Sequence, residues 1–171
     1  MANEVTVFYQ RQSELISHLL SVKELTLAQD AEQMLQKNLP LAAASYFEHH
    51  VTEALQSFVN AKSNNCVELA CLFDQKVIKR QYHTLFDWEK SNVNKFLGLF
   101  GEEFKTAATA EIAADGQLTQ AAKDFLAIGE MRNRIVHQNY ATYVAEKSAA
   151  EIFELFLSAE RFVAYAKQRL A

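Results

Sequence analysis

The chain has 171 residues, 50% of them apolar and 22% charged. That is enough to bury about two-thirds of the surface its unfolded form exposes, which excludes a disordered tail. Its four Gly, one Pro and 25 Ala favour helices over a turn-rich β architecture. A net charge of −4 excludes a broadly basic nucleic-acid surface, while leaving room for a small basic pocket.

Read from its start, the chain shows no basic segment followed by a long apolar one, so no signal peptide is expected. No run of about 18 apolar residues suggests a membrane span, and the expectation is a cytoplasmic protein with no membrane partner. A first helix is predicted over about 8–37, with Leu15, Leu19 and Val22, then Leu27, Ala31 and Leu35, on its inner face. Asn38-Leu39-Pro40 is expected to end it, because proline lacks the N–H a helix needs and constrains the residue before it. The one β-prone run, Val5 to Tyr9, is too short to alter the class. A second helix, about 41–62, carries the stripe Phe47, Val51, Ala54, Leu55 and Phe58, and Lys62-Ser63-Asn64-Asn65 stops it.

A third helix is predicted over 66–80, with Leu69, Phe73 and Val77 inward. Its basic end, Lys76, Lys79 and Arg80, suits either a solvated helix terminus or contact with phosphate. Cys66 and Cys71 fit no zinc or CxxC spacing and read as two buried thiols. Residues 81–91 look irregular, anchored by Trp88. Short helices follow over 92–100 and 102–114, with Gly101 as the cap between them and Asp115-Gly116 as the next turn. A helix over 118–136, a loop over 139–147 and a last helix from Ser148 complete the chain. Ser148 and Glu151 form a capping box. The whole is an all-α bundle of about five to seven helices, expected to be one domain over 1–171 that includes the 8–37 helix.

The helix over 118–136 breaks the pattern. At about 100° per residue, Leu118, Ala121, Ala122, Phe125, Ile128, Ile135 and Val136 fill one apolar arc. Arg132 lies in its middle, Asn133 at its edge and His137 just beyond, while Arg134 points the opposite way. An unpaired buried guanidinium is costly and cannot shed its charge. Arg132 therefore pairs with a carboxylate, sits in an interface, or lines a polar cleft. In a cleft, its planar fork suits phosphate, and His137 is the side chain best suited to move protons at neutral pH. An Arg, an amide and a His without a metal cluster suit metal-free phosphodiester chemistry. No glycine-rich phosphate loop, GxSxG elbow or HExxH pair offers another mechanism.

Arg132-Asn133-Arg134-Ile135-Val136-His137 resembles the RNxxxH form of the R-x4-6-H motif of HEPN domains. The block around Trp88, Asn92, Phe96, Leu97, Phe100, Gly101 and Phe104 is similar to the W…FL.LFG..F stretch of the RiboL-PSP-HEPN subgroup. Glu53-Ala54-Leu55-Gln56-Ser57-Phe58 resembles an earlier acidic helix of that subgroup, so the likeness covers about residues 40–170. The resemblance implies a metal-independent endoribonuclease without cofactor, acting in toxin–antitoxin or anti-phage defence. It also implies a homodimer in which two motifs share one cleft, and an antitoxin or defence-system partner.

By the same resemblance, His137 acts on the ribose 2′-OH or the leaving oxygen. Arg132 holds the scissile phosphate, and Asn133 orients His137 or the phosphate. Arg134, Lys79 and Arg80 are expected to touch the RNA backbone. Tyr140 either stacks on a base or packs in its loop, and Glu53 either supports the site or is a surface residue. Some family toxins carry a modifiable Tyr two residues after the His, whereas Tyr140 stands three after. His18, His49, His50 and His83 read as ordinary helix or loop residues. A second reading stays open: a non-catalytic HEPN-like domain that binds RNA, nucleotide or a protein. A third is an unrelated helical interaction protein.

Overall fold

The computed structural model describes residues 3–79 and 81–171. Among them there are seven α-helices and no strand: α1 Glu4–Ser21, α2 Leu25–Lys62, α3 Val67–Phe73, α4 Asn94–Gly98, α5 Glu102–Ala114, α6 Gly116–His137 and α7 Ala149–Leu170. A π-helical turn, Asp74–Ile78, extends α3, and a 3-10 turn, Tyr82–Thr84, precedes α4. No helix of these residues is long and apolar enough to cross a membrane. The β-prone run at Val5 lies inside α1.

The first chain reversal is not where proline suggested. The helix over 8–37 is two helices broken at Val22–Glu24, and α2 runs straight through Pro40 for 38 residues. At the break Lys23 adopts φ 64°. The Glu24 N–H then donates to the Leu19 carbonyl (2.9 Å) and the Lys23 N–H to that of Leu20 (3.1 Å). This is a Schellman closure with lysine where glycine is usual, so no residue type announced it. Asn64 and Asn65 (φ 53° and 57°) close α2 the same way, with the residue that tolerates that backbone best.

Proline inside a helix costs about 3 kcal/mol. Leu35, Leu39, Ala43 and Phe47 are all at most 2% exposed on the same helix, and each large one contributes about 1.5–3 kcal/mol. Packing therefore outweighs the lost hydrogen bond. The reversal at Lys23 also splits the predicted inner stripe, so Leu15, Val22 and Leu27 face solvent.

α7 packs along both α6 and α2, and α1 packs on α2. Where α2, α6 and α7 meet, Phe125 lies 5.4 Å from Phe47 and 5.0 Å from Phe162, ring centre to ring centre. The irregular segment before α4 plugs this core with Phe86, 4.9 Å from Phe125 and stacked on Phe96 at 4.7 Å. Leu85 and Phe86 are thus its deepest anchors, and Trp88 is only half-buried. α3 buries none of its residues, and Leu69 is outward, because this short helix packs mainly on α2. Cys66 is half-buried and Cys71 exposed, not the buried pair expected. Ser148 and Glu151 form their capping box as expected.

A left-handed conformation costs a residue with a side chain about 1 kcal/mol that glycine avoids. Lys23→Gly is therefore expected to stabilise the protein by about 0.5–1 kcal/mol, read as a higher denaturant midpoint at unchanged slope.

Candidate active site

Asp115 starts α6. Its Oδ1 accepts from the backbone N–H groups of Gln117 (2.9 Å) and Leu118 (3.1 Å), and its Oδ2 from Arg161 (2.7 Å). The Leu118 N–H above all, then Arg161, holds this carboxyl below its ordinary range. From there α6 buries Leu118, Ala121, Ala122, Phe125, Ile128 and Ile135 against the core. Val136, placed in the same arc from its spacing, is 48% exposed, because the last turn of α6 projects past the core.

Arg132 is half-buried. Among the described residues no carboxylate lies within salt-bridge distance of it. Its Nη1 donates to Asn133 Oδ1 at 3.0 Å. It lines a cavity of about 70 Å³ walled by Phe47, Phe125 and Trp88, with Glu48, Tyr82 and His83 as further polar neighbours. Tyr82 is buried, and desolvation, helped by the charge of Glu48 and partly opposed by Arg132, keeps its phenol firmly protonated.

His137 ends α6, exposed, in an open groove of about 600 Å³ that also includes Asn133, Arg134 and Lys95. Trp88 and Asn133 belong to both depressions. The motif is thus divided: Arg132 opens onto the cavity, His137 onto the groove, and Asn133 stands between them.

The structure brings Arg134 to the His137 groove rather than the opposite side, in an ion pair with Glu146 (2.7 Å). That pairing depresses the Glu146 carboxyl. The other expected contacts lie elsewhere. Lys79 pairs with Asp74 (3.3 Å) beyond α3, and Arg80 lies outside the described residues. Tyr140 donates to Asn38 Oδ1 (2.8 Å), with Lys37 Nζ 5.4 Å from its ring centre, so the loop it sits on is tied to α2. Glu53 accepts from Lys167 (2.9 Å) and neighbours His50 (3.6 Å), and it borders neither the cavity nor the groove.

Four residues that sequence reasoning did not nominate border the cavity: Glu48, Tyr82, His83 and Trp88. Glu48 carried a usable signal. It stands between Ala44 and Val51 on the apolar stripe of α2, as Arg132 stands on that of α6. Tyr82, His83 and Trp88 sit in an aperiodic segment, which gives no facing information. His83 was read as an ordinary loop histidine; its carbonyl accepts the Trp88 indole N–H at 2.8 Å.

An all-α bundle bearing Arg132-Asn133 and His137 at the end of its penultimate helix is a HEPN domain, a class typically of RNases. The RiboL-PSP-HEPN family model matches residues 6–171, α1 almost whole included, and the chain belongs to that family. No curated protein and no solved structure matches the chain.

Two outcomes test this geometry. A Cβ at Gly129 would overlap Cε3 and Cζ3 of Trp88. Gly129→Ala is expected to lose about 1–2 kcal/mol in chemical denaturation, although alanine is the better helix former by about 1 kcal/mol. Because the Asp115 carboxyl is depressed, its contribution is full above the ordinary carboxylate range and is lost as pH falls through its folded value. Asp115→Asn keeps a capping side chain, so its thermal midpoint should fall less steeply than wild type between about pH 5 and pH 2.

Proposed function

We propose that the protein is a metal-independent endoribonuclease acting through Arg132, Asn133 and His137. The observation that carries this reading is the half-buried Arg132 guanidinium. It has no carboxylate partner among the described residues and is aimed by Asn133, one turn before an exposed histidine. A cation held this way lacks the neutralising group that a purely structural arginine needs. A phosphodiester supplies it.

In this reaction the ribose 2′-oxygen attacks the adjacent phosphorus and the bond from phosphorus to the 5′-oxygen breaks. The products are a 2′,3′-cyclic phosphate and a 5′-hydroxyl end. His137 takes the proton from the 2′-OH or delivers one to the leaving oxygen. Arg132 binds the non-bridging oxygens and stabilises the charge that grows on them. Asn133, by accepting from Arg132, fixes the direction of the guanidinium fork. Arg134 contacts the RNA backbone as the weaker partner, since Glu146 already holds it.

The position of His137 at the surface, beside the exposed Val136, favours a homodimer. There the motif of a second copy completes the cleft, bringing a second His137 within reach of the same phosphate. We infer a role in toxin–antitoxin or anti-phage defence under the control of a partner, and the family resemblance supports this reading.

The test is cleavage of total RNA in EDTA. Wild type is expected to cut. His137→Ala should lose at least about a hundredfold in rate, and Arg132→Ala about a hundred- to a thousandfold. Sedimentation should give twice the chain mass. Equal cleavage by wild type and His137→Ala would remove His137 from the mechanism. RNA binding without any cleavage by wild type would make this a non-catalytic binding domain.

A further inference from the structure

Trp88 belongs to no step of that mechanism, yet contacts with Gly129, Phe86, Phe125 and the His83 carbonyl fix its position. Its ring lies on α6 at Gly129, where the helix offers no side chain at all. Phe86 and Phe125 brace it at 5.0 and 5.8 Å. Its N–H is already satisfied by the His83 carbonyl at 2.8 Å, so the ring needs no polar partner from a ligand. Trp88, half-buried overall, lines both the groove that holds Asn133 and His137 and the cavity that holds Arg132. A rigid aromatic wall of this kind pays little ordering entropy when a flat ligand packs on it.

The charges of the groove narrow the ligand. Lys95 and Arg134, the latter already paired with Glu146, are set against Asp87, Glu89 and Glu130. Such a rim gives little grip on a run of phosphates, whose binding grows with the number of cations they meet. It suits an uncharged planar group with polar edges. The volume, about 600 Å³, lies within the range of roughly 300–1,000 Å³ typical of small-ligand sites. Tyr140, three residues beyond His137, has its hydroxyl engaged by Asn38 and Lys37 set over its ring.

We propose that Trp88 is a nucleobase platform: a base next to the scissile phosphate leaves its own stack and lies on the indole, beside Asn133 and His137. The inference rests on the ribonuclease reading and adds the substrate class to it. A base can reach this wall only when unpaired, so the substrate is single-stranded or looped RNA, and a continuous duplex is a poor one. Gly129 is the residue that makes room for the platform.

Trp88 is the only tryptophan of the chain, so its fluorescence reports this contact alone. The experiment uses full-length His137→Ala protein and a short single-stranded 2′-O-methyl oligoribonucleotide, which has no free 2′-OH to react. Binding is followed independently by the anisotropy of a dye on the strand. The expected result is binding accompanied by quenching of the tryptophan emission, and binding without quenching for the same backbone lacking bases. Adding Trp88→Leu should weaken binding roughly five- to a hundredfold, whereas Trp88→Phe, which keeps the wall aromatic, should stay within a few-fold. Circular dichroism identifies a variant that has not folded, in which case the quenching and the Trp88→Phe result decide. Binding with unchanged emission, or equal binding by duplex and single strand, overturns the platform and leaves the nuclease intact. No binding, together with no cleavage of RNA by wild type, overturns both.

Discussion

The ring of Phe125 is the contact on which the rest of this molecule depends. It stands on α6 and meets Phe47 of α2, Phe86 and Trp88 of the irregular segment, and Phe162 of α7, all between 4.9 and 5.8 Å. Aromatic pairs at such distances add about 0.5–1.5 kcal/mol each beyond the area they bury. One side chain therefore holds two long helices and the irregular segment against α6. Arg132 lies two turns further along that helix. Its direction, and the cavity it faces, follow from how Phe125 seats α6 between its neighbours.

The site shows how a fold isolates a cation without neutralising it. Arg132 comes up through the apolar face of α6 at the edge of the core, where Phe47 and Trp88 line its cavity and Asn133 supplies an acceptor. Glu48 borders the same cavity and forms no ion pair among the described residues. Its charge and that of Arg132 act in opposite senses on the buried Tyr82 hydroxyl. The π-helical turn and α3 stand apart from this, packed on α2, and Lys79 with them. The basic cluster that looked like part of an RNA path is thus joined to the motif by no contact among the described residues.

Much of the architecture was legible because short-range physics decided it. The capping box at Ser148 and the asparagine stop after Lys62 are satisfied by atoms within a few residues. The local signals failed where distant packing overrode them. Pro40 reads as a breaker, yet burial of Leu39, Ala43 and Phe47 carries the helix through it. Lys23 reads as an ordinary helical residue, yet it is where the chain turns. Leu69 and Val136 follow helical periodicity correctly but stand about half exposed. Periodicity states which side chains share a face, not whether another element covers it.

The sequence by itself determined that the chain is helical, which helix carries the motif, and that Arg132 is misplaced for a simple core. Each of these follows from spacing along one helix and from the cost of burying a guanidinium. Only the tertiary structure decided what surrounds the motif. It turned Arg132 and His137 toward different depressions with Asn133 between them, drew Glu48, Tyr82 and His83 to the cavity, and tied Glu53 to Lys167 instead. It also set Trp88 on Gly129, residues 41 positions apart in sequence. No local pattern encodes that contact, because it requires α6 to be bare at one position and a loop from another part of the chain to fill it.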